Sequence, residues 1–340
     1  MSVTAARLSF HHLQRLTSKF GLQEHSIFGD PRNDEGHCVD DVARALILLC
    51  REPEVKDPYK PLIDLYLSFI SAAIAENGQC HNRMGSDGKW TDLPAVGDWW
   101  GRAVWAMGFA GVHAPEQAQR ALAINGFRKL ARTHSPHLHT RSFAVLGAGE
   151  FLLHFPEEQS AQAIVQKAEL SALRPISDSW FWPEERLRYS NATIPEAVML
   201  AGRVTGNTAV FENGLAMLDF LIDIETCGSH FSVTPVGGRG VQSVDSLFDQ
   251  QPIELASIAD ASARAYSFTR NPRYIDEVQR AWNWFLGAND VGVQMFDPLT
   301  HGGYDGLHAL GPNLNQGAES TISMLSTAQQ AYLLSVSPGL

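Results

Sequence analysis

The feature that most constrains this chain is an alternation of two kinds of helix, repeated six times along its length. One kind is amphipathic with a charged face, and its periodicity predicts helices over 5–18, 61–76, 115–133, 157–171, 209–224 and 272–286. Several of these open with proline near the first turn, where its missing N–H leaves no helical bond unmade. The other kind, over 40–50, 99–111, 140–155, 193–204, 252–268 and 316–334, is rich in small and apolar residues nearly all round. A helix that is apolar on every side has to be buried, and a helix with one charged face can cover it. Six such pairs predict an all-α fold, an (α/α)6 toroid of six helical hairpins, with the apolar helices as the inner ring. The same pairs stacked as an open solenoid are the alternative. At 340 residues and 44% hydrophobic, the chain can bury a large core, and it reads as one domain over 1–340.

The long polar segments all precede the apolar helices, at 21–39, 79–97, 136–139, 174–191, 227–249 and 287–315. On a toroid that gathers them at one end. The strings CHNRMGSDGKWTD, FSVTPVGGRG and FDPLTHGGYDG combine turn residues with short β-like runs and predict small hairpins there. Loops gathered on a rigid scaffold are where binding residues usually sit.

Polar residues cluster at the approaches to the apolar helices. GHCVDDVARAL supplies Asp40, Asp41 and Arg44, and GDWWGRAVWAMG supplies Asp98, Trp99, Trp100 and Arg102. HLHTRSFAVLG brings His137, His139 and Arg141, and RYSNATIPEA brings Tyr189, Asn191 and Glu196. FDQQPIELA carries Asp249, Gln250, Gln251 and Glu254. GGYDGLHALGPNLNQGAEST carries Tyr304, Asp305, His308, Asn313, Asn315, Gln316 and Glu319. Helix capping alone could account for Asp40, Asp98 and Asp249. It does not account for Glu254 and Glu319, which sit inside otherwise apolar helices, or for a second aspartate at 41. If the helices form a ring, these carboxylates converge on one funnel, where like charges raise some of their pKa values. Carboxylates, amides and aromatic rings together suit a sugar.

Other chemistries are weakly represented. A net charge of −11 argues against nucleic acid as a partner. The start, MSVTAARLSFHHLQRL, has no signal-peptide pattern, no apolar run is long enough for a membrane span, and a cytoplasmic location is expected. Cys38, Cys50, Cys80 and Cys227 form no CxxC pair and read as free thiols, Cys38 beside His37 as a packed one rather than a nucleophile. There is no GxGxxG, Walker loop, HExxH or GxSxG, and GGRG at 237–240 reads as a turn. None of His81, His137, His139, His301 and His308 pairs with a carboxylate at ligand spacing on one helix, so neither a metal nor a cofactor is expected.

The strings GHCVDDVARAL, GDWWGRAVWAMG, FDQQPIELASIADA and GGYDGLHALGPNLNQGAESTIS resemble an (α/α)6 family of bacterial proteins found alone, or fused or adjacent to glycosyltransferases and β-mannoside phosphorylases. The resemblance covers about residues 37–326. At greater distance the chain is similar to the (α/α)6 glycoside hydrolases and sugar epimerases. It departs from the family pattern at Ser190, where an Asp is usual, and at Trp99-Trp100, where Ser-His is usual. The resemblance implies a glycan or oligosaccharide substrate and a functional link to a glycosyltransferase.

By analogy with inverting enzymes on this scaffold, Glu319 is assigned as general acid and Asp41 as general base, with Asp249 and Glu254 as substitutes. Inverting glycosidases need two carboxyls roughly 6.5–9.5 Å apart. Trp99, Trp100, Trp182 and Tyr304 are expected to form the sugar platform. Arg44, Arg102, Gln250, Gln251, His308 and Asn315 are expected to hold hydroxyls, with Asp40, His81, Asp98, Tyr189, Asn191 and Asp305 alongside. Three alternatives remain. They are a sugar epimerase or isomerase using His308 and His139, a glycoside phosphorylase, and a non-catalytic sugar-binding partner of a glycosyltransferase.

Overall fold

A computed structural model of the chain describes residues 9–53, 57–241 and 247–336. Among these lie twelve α-helices: α1 (His11–Leu16), α2 (Val39–Arg51), α3 (Lys60–Ala73), α4 (Asp98–His113), α5 (Gln117–Leu130), α6 (Leu138–His154), α7 (Gln159–Ala168), α8 (Thr193–Thr205), α9 (Thr208–Ile224), α10 (Pro252–Thr269), α11 (Arg273–Phe285) and α12 (Ala318–Val336). Every helix read from the sequence is present. α1 is shorter than 5–18, and residues 5–8 of that expectation lie outside the described ones.

The even-numbered helices pack each on the next, and α12 packs back on α2. That closure decides for the (α/α)6 toroid and against the open solenoid. The odd-numbered helices lie outside, α3 on α2, α5 on α4, α7 on α6, α9 on α8, α11 on α10 and α1 on α12. Their pattern shows why. α11 buries Tyr274, Val278, Ala281, Trp282 and Phe285, spaced three and four apart, and turns its charged face outward. α4, α6 and α8 are buried on every side. Their small residues permit backbone contact. A Cβ on Gly108 of α4 would stand 2.4 Å from the Gly147 carbonyl oxygen of α6, and one on Gly147 would stand 2.3 Å from the Val104 oxygen. Alanine at either position forces these two helices apart.

Connections from inner to outer helices are tight from α4 onward. Gly206, with φ of 68°, ends α8, and the Asn207 side chain then caps α9 by accepting from the Val210 N–H. A reciprocal capping box between Glu116 and Gln119 starts α5. Connections from outer to inner helices, the short α5–α6 link apart, are long and hold all the described strands, as five antiparallel pairs. These are β1 (Ser26–Ile27) with β2 (Asp30–Pro31), β3 (His37–Cys38) with β4 (Arg83–Met84), β5 (Arg186–Leu187) with β8 (Arg239–Gly240), β6 (Thr226–Cys227) with β7 (His230–Phe231), and β9 (Gly306–His308) with β10 (Gly311–Asn313). The hairpin expected within FSVTPVGGRG is not formed. Its Arg239–Gly240 end pairs with β5 of the preceding loop. The β3–β4 and β5–β8 pairs thus stitch neighbouring loops together. Among the described residues, no helix is long and apolar enough to cross a membrane.

Candidate active site

All six inner helices point their N-termini at the looped end of the ring. A funnel of about 310 Å³ opens there, lined by Asp40, Asp41 and Arg44 of α2, by Glu319 and Ser320 of α12, and by Glu24, Asn82, Arg83, Gln251 and Asp305 from the loops. Its floor lies at the closing seam of the ring, where the first and last inner helices meet.

The acidic residues at the start of α2 are not caps. The N-cap is Cys38, which leaves Asp40 and Asp41 in the first helical turn, at the positive end of the helix dipole. Gly97 and Gln251 hold the N-cap positions of α4 and α10, so neither Asp98 nor Asp249 caps a helix as the pattern had allowed.

One guanidinium organises the floor. Arg44 Nη2 lies 2.5 Å from Asp41 Oδ1 and 3.6 Å from Asp40 Oδ2, and Arg44 Nη1 lies 3.0 Å from Glu319 Oε2. Two carboxylates on one guanidinium are separated by no more than its width and two hydrogen bonds, roughly 8 Å. Arg102 of α4 places Nε 2.8 Å from Asp40 Oδ1 and rests its guanidinium 4.2 Å from the centre of the Phe143 ring. Arg44 Nε is buried without a hydrogen-bond partner. Buried donors of this kind carry a desolvation cost unless something fills the funnel and accepts from them.

Asp41 is 2% exposed and Glu319 is 39% exposed on its side chain. Burial pushes the Asp41 carboxyl up to about 6, against the pull of Arg44 and with help from the charges of Asp40 and Glu319. Cys38 donates its thiol to Asp41 Oδ2 at 3.1 Å, and burial raises that thiol well above its ordinary value, so it stays protonated. Asp305 accepts the Gly317 N–H at 2.8 Å, and burial raises it as well. Glu24, Cys38 and Asp41 bring ligand-type atoms within 4.8 Å of one another, but the buried Cys38 stays a thiol and donates its proton to Asp41.

Of the residues proposed from the sequence, the funnel thus collects Asp40, Asp41, Arg44, Gln251, Asp305, Asn313 and Glu319, with Arg102 behind Asp40. Others have structural occupations. Trp100 and Trp182 are 2% and 0% exposed, so a sugar cannot stack on them; Trp100 Nε1 donates to the Gly78 carbonyl. Trp99 is half-buried and donates to the Cys80 carbonyl. Gln250 is fully buried between Asp290, the Leu247 carbonyl and Trp284. Glu254 is buried and accepts the Asn191 N–H and side-chain amide, both at 3.1 Å, and the Ser190 N–H, so it braces the start of α8. Asp98 accepts from Thr140, Asn315 accepts from the Phe28 N–H, and Tyr304 is half-buried. His81 lies on Asp92 and stacks on Trp90. Tyr189 stacks on His139, whose burial pushes its imidazole down to about 4 and keeps it neutral. Asp249 and His308 pair with each other in the open, about half exposed. They do not line the funnel.

Glu24, Asn82 and Arg83 were not anticipated. Glu24 and Arg83 form an ion pair across two loops that β3 and β4 hold together. Each is an ordinary loop residue in sequence, and only the pairing of the loops gives them a common place.

No protein-family model matches the chain, and no curated protein matches it by sequence. Solved structures do. A sugar epimerase from a ruminal bacterium superposes with a TM-score of 0.72 at 13% identity, over 96% of this chain and 95% of that one. A cellobiose 2-epimerase from Bacillus thermoamylovorans gives 0.70 at 12%, over 96% and 95%. A family 76 glycoside hydrolase, a mannosidase from Bacteroides thetaiotaomicron, gives 0.63 at 11%, over 95% and 94%. These likenesses are of fold.

Proposed function

We propose that this chain is a carbohydrate-active enzyme, and that it hydrolyses a glycan or oligosaccharide with inversion. The observation that carries the reading is the pair of carboxylates, Asp41 and Glu319, held on one guanidinium at the floor of an open polar funnel. Their separation of at most roughly 8 Å overlaps the window of the inverting two-carboxylate mechanism. The solved structures that share the fold are named for sugar chemistry, which agrees with it.

In this reading Glu319, the more exposed of the two, takes up a proton from solvent as substrate draws it off Arg44, and delivers that proton to the leaving glycosidic oxygen. Asp41 takes a proton from the attacking water. Its pKa of about 6 makes it a stronger base than an ordinary aspartate while leaving it ionised at neutral pH. Arg44 holds both carboxylates in register, and Asp40 with Arg102 offers acceptor and donor to the sugar hydroxyls.

A second reading rests on a separate observation. His308 Nδ1 is paired with Asp249 at the rim, the arrangement that lets an imidazole act as a base toward a carbon acid, as an epimerase requires. One experiment separates the two. Oligosaccharides are incubated with the enzyme, with and without phosphate, and the products are analysed for chain cleavage and for epimers. Cleavage that Asp41→Asn or Glu319→Gln abolishes supports hydrolysis. Epimers formed without cleavage, and lost in His308→Ala, overturn it in favour of the second reading. Cleavage that needs phosphate overturns it in favour of a phosphorylase.

A further inference from the structure

At the opposite mouth of the ring, the last turns of α4 and α6 bring His113, Glu150 and His154 together, with ligand-type atoms all within 4.8 Å of one another. Glu150 and His154 are four apart on α6 and share its face. His113 is the last residue of α4 and is set against them by the close backbone contact at Gly108 and Gly147.

The surroundings of this cluster are arranged as for metal ligands. Glu150 is buried and its Oε2 is fixed by Arg264 at 2.8 Å, which aims Oε1 at His113 Nε2, also 2.8 Å away. His154 Nδ1 lies 3.1 Å from the Glu150 carbonyl oxygen. That bond makes Nδ1 the protonated nitrogen and leaves the Nε2 lone pair free. Metal-bound imidazoles are oriented in the same way, by donating the other N–H to a carbonyl or carboxylate. The two rings meet edge to face, 5.4 Å between centres. Two imidazoles and one carboxylate suit zinc and its first-row neighbours, whereas calcium and magnesium take oxygen ligands. An ion between His113 Nε2 and Glu150 Oε1 displaces the proton they share. It widens their separation to roughly 3.3 Å, as tetrahedral bonds of about 2.0–2.2 Å demand. His154 is exposed, and a second cavity of about 310 Å³, lined by His113, Glu150 and Arg264, gives a path in.

We infer that His113, Glu150 and His154 form a binding site for a zinc-class divalent cation, which ties α4 to α6 and keeps a fourth coordination position open to solvent. The site lies on the face away from the funnel and is independent of the glycoside reading.

The test uses the full chain, freed of any histidine tag, stripped with chelator and titrated with zinc by calorimetry. Cobalt(II) visible absorption reports the ligand set. One ion per chain and a raised melting temperature are expected. His154→Ala should weaken binding by more than the roughly 10–100-fold that loss of an outer-shell partner costs. That exposed change keeps the fold, which far-UV circular dichroism verifies. Cys227→Ser is the control, because Cys227, His230 and Asp290 also approach within 4.8 Å. Binding that Cys227→Ser leaves intact supports the rear site. Absence of saturable binding, binding that survives both His154→Ala and His113→Ala, or binding lost in Cys227→Ser overturns it.

Discussion

The two mouths of the ring are built on the same device and put it to different ends. At the front, Arg44 joins Asp41 of α2 to Glu319 of α12; toward the rear, Arg264 joins Glu150, near the end of α6, to Glu196, in the first turn of α8, at 2.8 and 3.0 Å. Most rear connections are short, and both carboxylates on Arg264 are buried, Glu196 pushed up to about 7 by that burial. Front connections are long, and one of the carboxylates is two-fifths exposed. The front arginine also has a buried Nε with no hydrogen-bond partner. A buried arginine between two carboxylates therefore does not identify a catalytic site. What distinguishes the front is access to one carboxylate and unspent hydrogen-bonding capacity beneath it.

Substitutions should separate the two most sharply in turnover. Glu319→Gln and Asp41→Asn are expected to lower kcat on an identified glycoside by roughly 10²–10⁴, the usual span for losing an acid or base. Glu196→Gln, on the Arg264 pair, should leave kcat within a few-fold. Equal losses from both ends would erase the distinction. The next effect is on stability. Arg264→Ala strands two buried carboxylates and is expected to cost about 3–5 kcal/mol, read by denaturant unfolding.

The pH dependence sharpens the contrast further. Asp41 has a folded value of about 6 against an ordinary 3.8, so the folded state holds its proton more tightly. Its contribution is present below about pH 4 and is lost as pH rises toward about 6, amounting to about 3 kcal/mol. Asp41→Asn should remove that segment of the stability profile. Turnover should move the other way, rising through about pH 6 as the base ionises. Glu150 differs in sign, because Arg264 and His113 outweigh its burial and hold it below the usual carboxylate range. Its contribution is lost only on strong acidification. The smallest effect is expected at the rim. The Asp249–His308 pair is half exposed, so His308→Ala should change stability by no more than about 1 kcal/mol. Full retention of hydrolysis in that variant would confine catalysis to the floor.

The ring was legible in the sequence because burial acts on every residue of a helix. α4 and α6 could hardly be read as anything but inner helices, and their glycines stand where backbones touch. The seam pair Asp41 and Glu319 was legible too, because a closed ring makes the first and last inner helices neighbours. Aromatic residues misled. Trp100 and Trp182 looked like a sugar platform, yet a large ring near a helix start fills core as readily as it lines a cleft. Glu254 shows the same ambiguity for a buried acid, since backbone N–H groups satisfy it as well as a substrate could. Glu24 and Arg83 were invisible, because their proximity depends on how two loops pair. The Glu150–His154 spacing was in plain view on α6, but its partner His113 lies on another helix.

The packing of α12 on α2 also joins the two ends of the described chain at the seam. Asp41 belongs to the first inner helix and Glu319 to the last, 278 positions later in a chain made from one end to the other. Five hairpins can assemble without a complete floor. If Asp41 and Glu319 are the base and the acid proposed above, they meet only once the final helix has packed on the first, and a ring lacking α12 would be chemically silent.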